Sequence, residues 1–572
     1  MPGRAARAKS LPQWSVDLYH RAAAWRRGAR PLARADRYDV AALLLFGTLI
    51  ALIAFTFRDY AISNDEEVQQ RYGEMIIAYY ASGFVDQALF HFRNLYLYGG
   101  LFDVIAVGLE KLVPLDLYEV RHVLTALCGV GGLAAVWATA RTIAGSRAGL
   151  LAALALSVCG TWYGAMFNHT KDIPFAAAVM GALWLLVLIG RELPRPRWHL
   201  VVSFGVLCGC ALGIRVLGVF LIGYAAVAIV LHAPLGRGVP LREALHKTLA
   251  FVARSTVPFT AAFVIAYLIM IAAWPWAALA PLNPLRGLTD FVDFNYPIQT
   301  ILAGQVYHMG DVPRWYVPTY MAIKLTLWLL IGAGLALVFA ALPQRAAQRT
   351  NQKTDNLWRK ETALMAFAAF APLISEVIVD GPAFSGMRHF LFTVPPIAVL
   401  AGLGLNAMLS RLENFNWLAA AAAATVIALG FGWNADTLYR LHPDEYLFFN
   451  PLVGGLAGAS RNYDTDYWVN TMPEAVSDLE RYLDKTEGKA RPGVHYLVAV
   501  CCERLQFEKE ADSRLEWTRD ADRADFFIAP TNMNCDRARK GRVIATVERL
   551  GVVIGVVKDR RAITRPNVAG LN

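Results

Sequence analysis

Long apolar stretches alternate with short polar connections over the first three quarters of the chain. The apolar stretches are about 18 to 24 residues long, which is the length that crosses a hydrocarbon layer of ~30 Å as an α-helix. Eleven of them are predicted as membrane-spanning helices, near residues 40–57, 121–141, 147–166, 173–190, 198–214, 216–232, 249–272, 318–341, 361–379, 389–409 and 416–433. The pattern therefore predicts an all-α polytopic membrane protein in this part of the chain.

The last quarter of the chain has a different pattern, in which short β-branched apolar runs alternate with polar segments. A helical pattern covers 474–483, and strand-like runs cover 494–502, 524–530 and 542–559. Such alternation is typical of a small α/β domain. We therefore predict a separate α/β domain over residues 435–572, whose strand pairing the pattern leaves open.

Composition and charge agree with a membrane protein. Of the 572 residues, 56% are hydrophobic and 17% are charged, which is more apolar surface than one soluble core can bury. The net charge of +10 comes largely from residues 1–37, which hold nine Lys and Arg against Asp17 and Asp36. Positive charge before a first span is an orientation signal. No basic face interleaved with aromatic residues occurs elsewhere in the sequence, so nucleic acid is not an expected partner.

The connections between the predicted spans differ in charge. Basic connections gather on one side, which the positive-inside rule assigns to the cytoplasm together with the basic segment 1–38. On the other side, residues 58–120 carry ten Asp and Glu against four Lys and Arg and include amphipathic stretches. An odd span count also puts residues 435–572 outside, after a transmembrane domain of residues 39–434. The outer loop at 273–317, rich in Trp, Tyr, Pro and Gly, is a candidate lid.

Three of the seven cysteines fall in the predicted outer domain. Because an outer compartment is oxidising, one disulfide among Cys501, Cys502 and Cys535 is possible. Adjacent residues on a strand point to opposite faces, so Cys535 can readily reach only one of the other two. The spacing does not indicate which one, and it does not match a zinc site.

The strongest local candidate for chemistry is the acidic run Ser63-Asn64-Asp65-Glu66-Glu67, just beyond the first span. A carboxylate held at the membrane surface can act as a general base on an acceptor hydroxyl. The alternative is a solvated acidic loop.

This acidic run is followed by RHVLTALCGVGGLAAVWATARTIAG and by RAGLLAALALSVCGTWYGAMFNHTKDIPFA. In that order the segments resemble the GT-C glycosyltransferases, and within them the bacterial branch of aminoarabinose transferases for lipid A and protein O-mannosyltransferases. The similarity extends over nearly the whole chain, through WPWAALAPLNPLRGL, MRHFLFTVPPIAVLAGL and DTDYW. The resemblance implies a GT-C fold and inverting sugar transfer from a polyprenyl-phosphate carrier, at the periplasmic face of a bacterial inner membrane.

The resemblance also implies roles for particular residues. Asp65 corresponds to the catalytic base, Glu66 to its acidic neighbour, and Asp172 to a second carboxylate, although Asp172 could simply cap the helix that begins at Ile173-Pro174. Arg215, where relatives usually have lysine, and Arg388 are expected to hold the carrier phosphate. The alternative for both arginines is an interfacial anchor that reaches the lipid headgroups.

Further substrate contacts are expected at residues near these positions. Relatives carry a lysine or histidine after the first amphipathic helix that this sequence lacks, so His91 and Arg93 are candidates to replace it. Histidines and a lysine beside the proposed carboxylates and arginines could orient a hydroxyl, and these are His169, Lys171 and His389. A lone histidine is more often structural.

The sequence does not indicate whether a metal ion is bound or which acceptor receives the sugar. Asp65, Glu66 and Asp172 could supply oxygen ligands to a divalent cation, but the spacing does not require one. The acceptor could be lipid A or lipopolysaccharide core, another glycolipid, a polysaccharide or a protein. Two other functions are compatible with many membrane spans and charged residues at the membrane surface. One is a flippase or transporter of a lipid-linked sugar, for which broken helices and charges in the middle of the membrane are expected. The other is a structural partner in envelope assembly.

Overall fold

A computed structural model of the chain describes residues 35–63, 65–168, 171–234, 240–292, 296–342, 352–489, 493–501 and 504–565. The helices of the first part are α1 (Arg37–Thr56), α2 (Glu66–Ala81), α3 (Leu101–Glu110), α4 (Leu117–Ala144), α5 (Ser146–Ser157), α6 (Gly160–Asn168), α7 (Asp172–Glu192), α8 (Trp198–Leu212), α9 (Phe220–His232), α10 (Leu241–Ala273), α11 (Pro275–Leu279), α12 (Asn283–Val292), α13 (Tyr316–Lys324), α14 (Leu327–Ala341), α15 (Gln352–Val379), α16 (Val394–Phe415) and α17 (Trp417–Leu441). A short hairpin of β1 (Gln299–Leu302) and β2 (Gln305–His308) lies between α12 and α13. The C-terminal part contains α18 (Gly455–Ala459), α19 (Met472–Glu487), β3 (Tyr496–Val500), α20 (Arg504–Glu510), β4 (Leu515–Trp517), β5 (Phe526–Pro530), β6 (Arg542–Arg549), β7 (Val552–Asp559) and α21 (Arg561–Thr564).

Apolar helices coincide with all eleven predicted spans. Among the described residues, seven helices are long and apolar enough to cross a membrane, namely α1, α4, α7, α10, α15, α16 with the turn before it, and α17. The pairs α5–α6 and α13–α14 are single apolar segments bent by 63° and 108°. Two shorter apolar helices, Trp198–Leu212 and Val216–His232, complete the set. The prediction of a polytopic helical membrane protein is confirmed, whereas the number of crossings stays a prediction.

One of the two helix breaks, between α13 and α14, is closed by hydrogen bonds from side chains of other segments. At the break between α13 and α14, Asn450 Nδ2 donates to the carbonyls of Ala322 at 2.6 Å and Leu325 at 2.8 Å. Thr161, at the start of α6, donates to the carbonyl of Lys324 at 3.2 Å. A carbonyl without its helical partner must find another donor inside a membrane protein. The segment after α17 therefore completes a helix formed far earlier in the chain.

One end of the helix bundle carries the described residues of the segments 58–120, 273–317 and 380–388, and we call it the loop face. In the first segment, α2 and α3 fold onto α4 around a buried ion pair, Asp103–Arg121, with Nη1 2.9 Å from Oδ1. Arg121 Nε also donates to Gln70 of α2 at 2.9 Å. These contacts fix both short helices on the start of α4.

The C-terminal region also packs on the loop face. Its sheet has the order β4-β3-β5-β7-β6, with β3 parallel to β4 and β5, and β7 antiparallel to β5 and β6. Residue Leu302 of β1 forms a β-bridge with Tyr463, and Ala61 N donates to Asn470 Oδ1 at 2.6 Å. The predicted α/β character of this region is therefore confirmed.

Two details of the predicted C-terminal domain are now specified. Cys501 and Cys535 form a disulfide, while Cys502 lies outside the described residues. The boundary predicted after residue 434 falls inside α17, which continues to Leu441. Asp436 and Arg440 pair across one helical turn at 2.9 Å on an exposed surface, so the polar pattern there marks exposure of the helix rather than its end.

Candidate active site at the loop face

Asp65 and Arg388 form an ion pair at the loop face, with Nη2 2.8 Å from Oδ2. Asp65 immediately precedes α2 but makes no capping hydrogen bond with its side chain. Arg388 begins a 3-10 turn that leads into α16, where Pro395 and Pro396 suit a helix start. The side chain of Asp65 is 38% exposed and that of Arg388 11%, so this pair lies at an opening of the protein.

Asp172 and Arg215 form a second ion pair, and both side chains are buried. Asp172 is the first residue of α7, and its carboxylate binds Arg215. Arg215 is an extended residue between α8 and a 3-10 turn that leads into α9. The helix break thus turns an arginine from an apolar run toward the start of α7, where a carboxylate also suits the helix dipole.

Both arginines keep unused donors. Among the described residues, the buried Nε atoms of Arg215 and Arg388 donate no hydrogen bond. A guanidinium has five N–H donors in a planar fork, and a phosphate can accept several of them. Each arginine can therefore hold a carboxylate with one part of its fork and still offer donors to an anion.

A close backbone approach positions the segment that carries Arg215. Gly100 N donates to the carbonyl of Ala273 at 3.0 Å. A Cβ at Gly99 would lie 2.1 Å from the carbonyl oxygen of Gly213, two residues before Arg215. Only glycine permits this contact, so the first loop is fixed directly against the end of α8.

Lys171 is buried beside the second ion pair. Its Nζ lies 3.7 Å from the centre of the Tyr98 ring, a cation–π contact. With the amide of Gln69 oriented to suit both neighbours, Gln69 accepts from Lys171 at 2.7 Å and donates to Asp103 at 3.3 Å. Burial lowers the pKa of Lys171 to about 8, against the opposing attraction of Asp103.

Glu66 has an environment unlike that of Asp65. Its side chain is 1% exposed and accepts from the backbone N of Ser63 at 2.7 Å. His122 Nε2 approaches the other carboxylate oxygen at 3.3 Å. These contacts hold the start of α2 against α4, which favours a structural role for Glu66 over the catalytic one expected from the sequence.

A cavity of about 400 Å³ opens beside the two arginines. Its polar lining residues include Arg215, Ser375, Glu376 and His389, and Tyr98 also lines it. Apolar residues form most of the remaining lining, including Leu288 and Phe291 of α12 in the predicted lid loop. The ring of His389 also packs edge-on against Phe384, with centroids 4.7 Å apart.

Of the remaining predicted contacts, two lie away from the buried ion pairs and one is not described. His91 and Arg93 are exposed on a turn between α2 and α3. His169 lies outside the described residues. The role of His91 and Arg93 in place of the missing family residue therefore stays a prediction.

Two tyrosines that the sequence analysis did not select lie close to the charged groups. Burial raises the pKa of Tyr98 to about 12, and Arg215 opposes that rise. Burial also raises the pKa of Tyr467, again opposed by Arg388. Tyr98 falls in the first outer loop, 58–120, and Tyr467 in the segment DTDYW, but nothing in these stretches distinguishes the two tyrosines from their aromatic neighbours.

A buried carboxylate connects the C-terminal region to the loop that carries Arg388. Asp464 accepts hydrogen bonds from Thr300 of β1 and from the Tyr316 hydroxyl, the latter at 3.2 Å. Gly386 N donates to the same Tyr316 hydroxyl at 3.0 Å. Burial raises the pKa of Asp464 to about 6. The β1–β2 hairpin, the C-terminal region and the 380–388 loop therefore meet at Asp464 and Tyr316.

The carboxylates of the site do not gather as metal ligands. Within the described ranges, no group of three or more His, Cys, Asp and Glu side chains could hold a metal ion. Asp65 and Asp172 each bind an arginine instead.

The chain is thus a polytopic membrane protein in which two aspartate–arginine pairs adjoin an apolar cavity. Its residues 119–276, which include Asp172 and Arg215, match the family model described as dolichyl-phosphate-mannose-protein mannosyltransferase. This match confirms, for that part of the chain, the resemblance to glycosyltransferases of the GT-C type. A search of curated proteins found no significant match.

Several solved structures match this chain at low identity. ArnT from Cupriavidus metallidurans bound to undecaprenyl phosphate is 13% identical, with 90% of this chain and 97% of that chain covered and a TM-score of 0.46. An oligosaccharyltransferase from Archaeoglobus fulgidus is 14% identical over 85% of this chain and 65% of that chain, also with a TM-score of 0.46. The arabinofuranosyltransferase AftD from Mycobacteria is 12% identical over 90% of this chain and 41% of that chain, with a TM-score of 0.39.

Proposed function

We propose that this protein is a membrane glycosyltransferase that moves a sugar from a polyprenyl-phosphate carrier to an envelope acceptor. The family model matched by residues 119–276 is named for a dolichyl-phosphate-linked donor, and dolichyl phosphate is a polyprenyl phosphate. The acceptor is lipid A or lipopolysaccharide core, another glycolipid, a polysaccharide or a protein. Hexose and pentose donors both remain candidates.

The observation that carries the proposal is the pair of arginines with unused donors beside an apolar cavity. Arg215 and Arg388 each keep a buried Nε–H without an acceptor among the described residues, and Arg215 lines the cavity of about 400 Å³. A lipid phosphate has an anionic head and an apolar tail. The arginines suit the first and the cavity suits the second.

The carrier phosphate competes with the two aspartates for the arginines. In the structure Arg388 binds Asp65 and Arg215 binds Asp172. When the phosphate binds Arg388, Asp65 loses its cation and becomes available to the acceptor hydroxyl. Donor binding thereby prepares the base.

The reaction then proceeds by direct displacement at the anomeric carbon. The acceptor oxygen forms a bond to that carbon while the bond from the carbon to the phosphate oxygen breaks. Asp65 takes the hydroxyl proton, and Arg215 and Arg388 stabilise the charge that develops on the leaving phosphate. Attack from the side opposite the phosphate inverts the configuration of the sugar.

The same proposal assigns the loop face to the periplasmic side of a bacterial inner membrane, with the N-terminus in the cytoplasm. The Cys501–Cys535 disulfide in the C-terminal region supports an oxidising compartment for that region. The 273–317 segment acts as the lid, since Leu288 and Phe291 of α12 already line the cavity. The C-terminal domain guides the acceptor toward Asp65.

A flippase or transporter of a lipid-linked sugar is the alternative considered from the sequence. The two broken helices are a feature of many transporters. Here, however, Asn450 and Thr161 close the break between α13 and α14 with direct hydrogen bonds. The break is therefore packed within protein, which favours a fixed scaffold over a moving gate.

The test is to compare envelope lipids and glycans by mass spectrometry in a deletion strain that carries wild type, Asp65→Asn or Glu67→Gln. Glu67 is a matched control because it lies in the same acidic run but pairs with Arg71 at 2.6 Å on the surface. We expect one sugar modification to be lost in the deletion strain, restored by wild type and Glu67→Gln, and absent with Asp65→Asn. Full restoration by Asp65→Asn would overturn Asp65 as the base, and unchanged profiles in all strains would overturn sugar transfer.

A further inference from the structure

A second cavity, of about 470 Å³, lies apart from the two aspartate–arginine pairs, beside α17. The start of α14 forms its opposite wall, and the segment 447–456 lies along it. Leu550, at the turn between β6 and β7, completes the lining from the C-terminal region. The cavity is therefore built where the last apolar helix leaves the bundle and meets the C-terminal region.

Polarity changes steadily along the α17 side of this cavity. Gly430, Asn434, Thr437 and Arg440 follow at helical spacing and line it together. At 1.5 Å per residue, these positions span about 15 Å along the helix axis. The Gly430 end is apolar and the Arg440 end is charged, so the cavity matches an amphiphile that lies parallel to α17.

The apolar end is formed by close packing of an indole on the helix. A Cβ at Gly430 would lie 1.9 Å from Nε1 of Trp328, so the glycine lets this ring lie against the backbone of α17. Trp433 lines the same end and is 71% exposed. Tryptophan is enriched where the acyl region of a bilayer meets its headgroups.

Asn434 supplies an unused donor in the middle of the cavity. Its side chain is 8% exposed, and its Nδ2 is buried without a hydrogen-bond acceptor in the described part of the chain. A buried donor that remains unpaired is unfavourable, and such groups call for a specific explanation. An ester carbonyl about one and a half helical turns below a headgroup would satisfy it.

The rim carries both signs of charge. Arg440 Nε lies 2.9 Å from Asp436 Oδ2, and both side chains are more than half exposed. In a headgroup that carries both a phosphate and an ammonium, the phosphate can pair with Arg440 and the ammonium with Asp436. A purely anionic headgroup would bring a phosphate next to Asp436 without a cation to offset the repulsion.

We propose that this cavity binds one zwitterionic glycerophospholipid from the membrane leaflet at the loop face. Its acyl chain lies along Gly430 and Trp433, and an ester carbonyl accepts from Asn434. The phosphate pairs with Arg440 and the ammonium with Asp436. Because the lipid contacts both α17 and the segment 447–456, it joins the membrane helices to the C-terminal region. The site is independent of the proposed transferase activity.

The test uses the purified full chain, exchanged into detergent with equal amounts of phosphatidylethanolamine and phosphatidylglycerol, and counts retained lipid by native mass spectrometry. We expect one phosphatidylethanolamine to be retained about tenfold over phosphatidylglycerol. Asn434→Leu, which removes the donor at similar volume, should lower retention about fivefold, the value of one hydrogen bond. Thr437→Trp, which fills the cavity, should abolish it.

Thr425→Trp is the matched control. Thr425 lies on the same helix, away from the cavity, and both hydroxyls bond the carbonyl four residues back, at 3.0 Å for Thr425 and 2.9 Å for Thr437. Equal retention of the two lipids, or retention unchanged in both cavity variants, would overturn the proposal, as would an equal loss in Thr425→Trp. If Thr437→Trp does not fold, Asn434→Leu decides alone.

Discussion

Two of the aspartate–arginine pairs at the loop face, Asp103–Arg121 and Asp65–Arg388, have almost the same nitrogen–oxygen distance but differ in their access to solvent. In the Asp103–Arg121 pair both side chains are at most 1% exposed, with nitrogen and oxygen 2.9 Å apart. In the Asp65–Arg388 pair the distance is 2.8 Å, but the aspartate is 38% exposed. The buried pair Asp103–Arg121, here called the sealed pair, can only hold α3 on α4. In the partly exposed pair Asp65–Arg388, the open pair, each side chain can exchange its partner for a ligand. Solvent exposure, rather than residue type or distance, distinguishes the structural pair from the pair suited to a catalytic role.

The largest effect is expected from breaking the sealed pair. Arg121→Met leaves the Asp103 carboxylate buried without its cation, which should lower the free energy of unfolding by about 3–5 kcal/mol. Thermal or denaturant unfolding of the purified protein measures it. The double variant with Asp103→Leu should recover most of the loss, because no buried charge then remains. Wild-type stability in the single variant would contradict a structural role.

Breaking the open pair should instead remove activity and leave stability nearly unchanged. Arg388→Gln should reduce sugar transfer about 100- to 1000-fold, the usual effect of losing one group that stabilises a developing charge. Arg388→Lys should retain part of the activity because it keeps the charge but loses the fork. Transfer and unfolding are measured on the same preparation. A variant that loses stability in proportion to activity would place Arg388 with the structural arginines.

A third cluster, around His442, is partly exposed to solvent, and its contribution to stability should depend on pH. His442, just after α17, lies 2.9 Å from Asp59 and 2.8 Å from Glu445. Burial opposes its protonation, yet hydrogen bonds to Glu445 and then Asp59 raise the pKa of His442 to about 9.

Because the folded-state pKa of His442 is raised, its stabilisation should be fully present below about pH 6.5 and lost as the pH rises through 9. We expect a loss of about 1–2 kcal/mol over that range, after allowance for partial solvent screening. Unfolding at a series of pH values, with His442→Gln as the comparison, measures it. An equal slope in both proteins would assign the pH dependence to other groups.

The smallest effect should come from a fully surface pair. Glu67→Gln removes the i,i+4 partner of Arg71, whose side chain is 59% exposed. Such pairs contribute about 0.3–0.5 kcal/mol, so both stability and transfer should stay close to wild type. A large loss of transfer would mean that the acidic run acts as a group and that Asp65 is not distinct within it.

The sequence predicted the apolar segments and the α/β region well, because hydrophobic length and β-branched alternation report burial directly. It did not predict the breaks in the bent helices. Leu325 lies at the break between α13 and α14, which has no proline or glycine of the kind that marks most kinks, whereas Gly160 directly follows the break between α5 and α6. At the α13–α14 break the amide of Asn450, from a distant segment, supplies the hydrogen bonds, and the local sequence pattern does not indicate this contact.

The sequence indicated which residues belong to the candidate site, but it did not indicate how they are arranged. Asp65, Asp172, Arg215 and Arg388 were selected through resemblance, and the structure pairs each aspartate with an arginine. The sequence could not reveal that pairing, because the partners are 323 residues apart in one case and 43 in the other. The sequence also could not reveal the burial of Glu66 against His122, since that burial depends on how α2 meets α4.

The side chain of Asn450 also bears on the order in which the protein matures. Its two hydrogen bonds close the α13–α14 break, yet Asn450 is synthesised more than a hundred residues after that helix pair. Until then the carbonyls of Ala322 and Leu325 need provisional partners, such as water or a chaperone in the insertion machinery. A nascent chain arrested before residue 450 would therefore hold a membrane bundle in which the α13–α14 break lacks its side-chain donor.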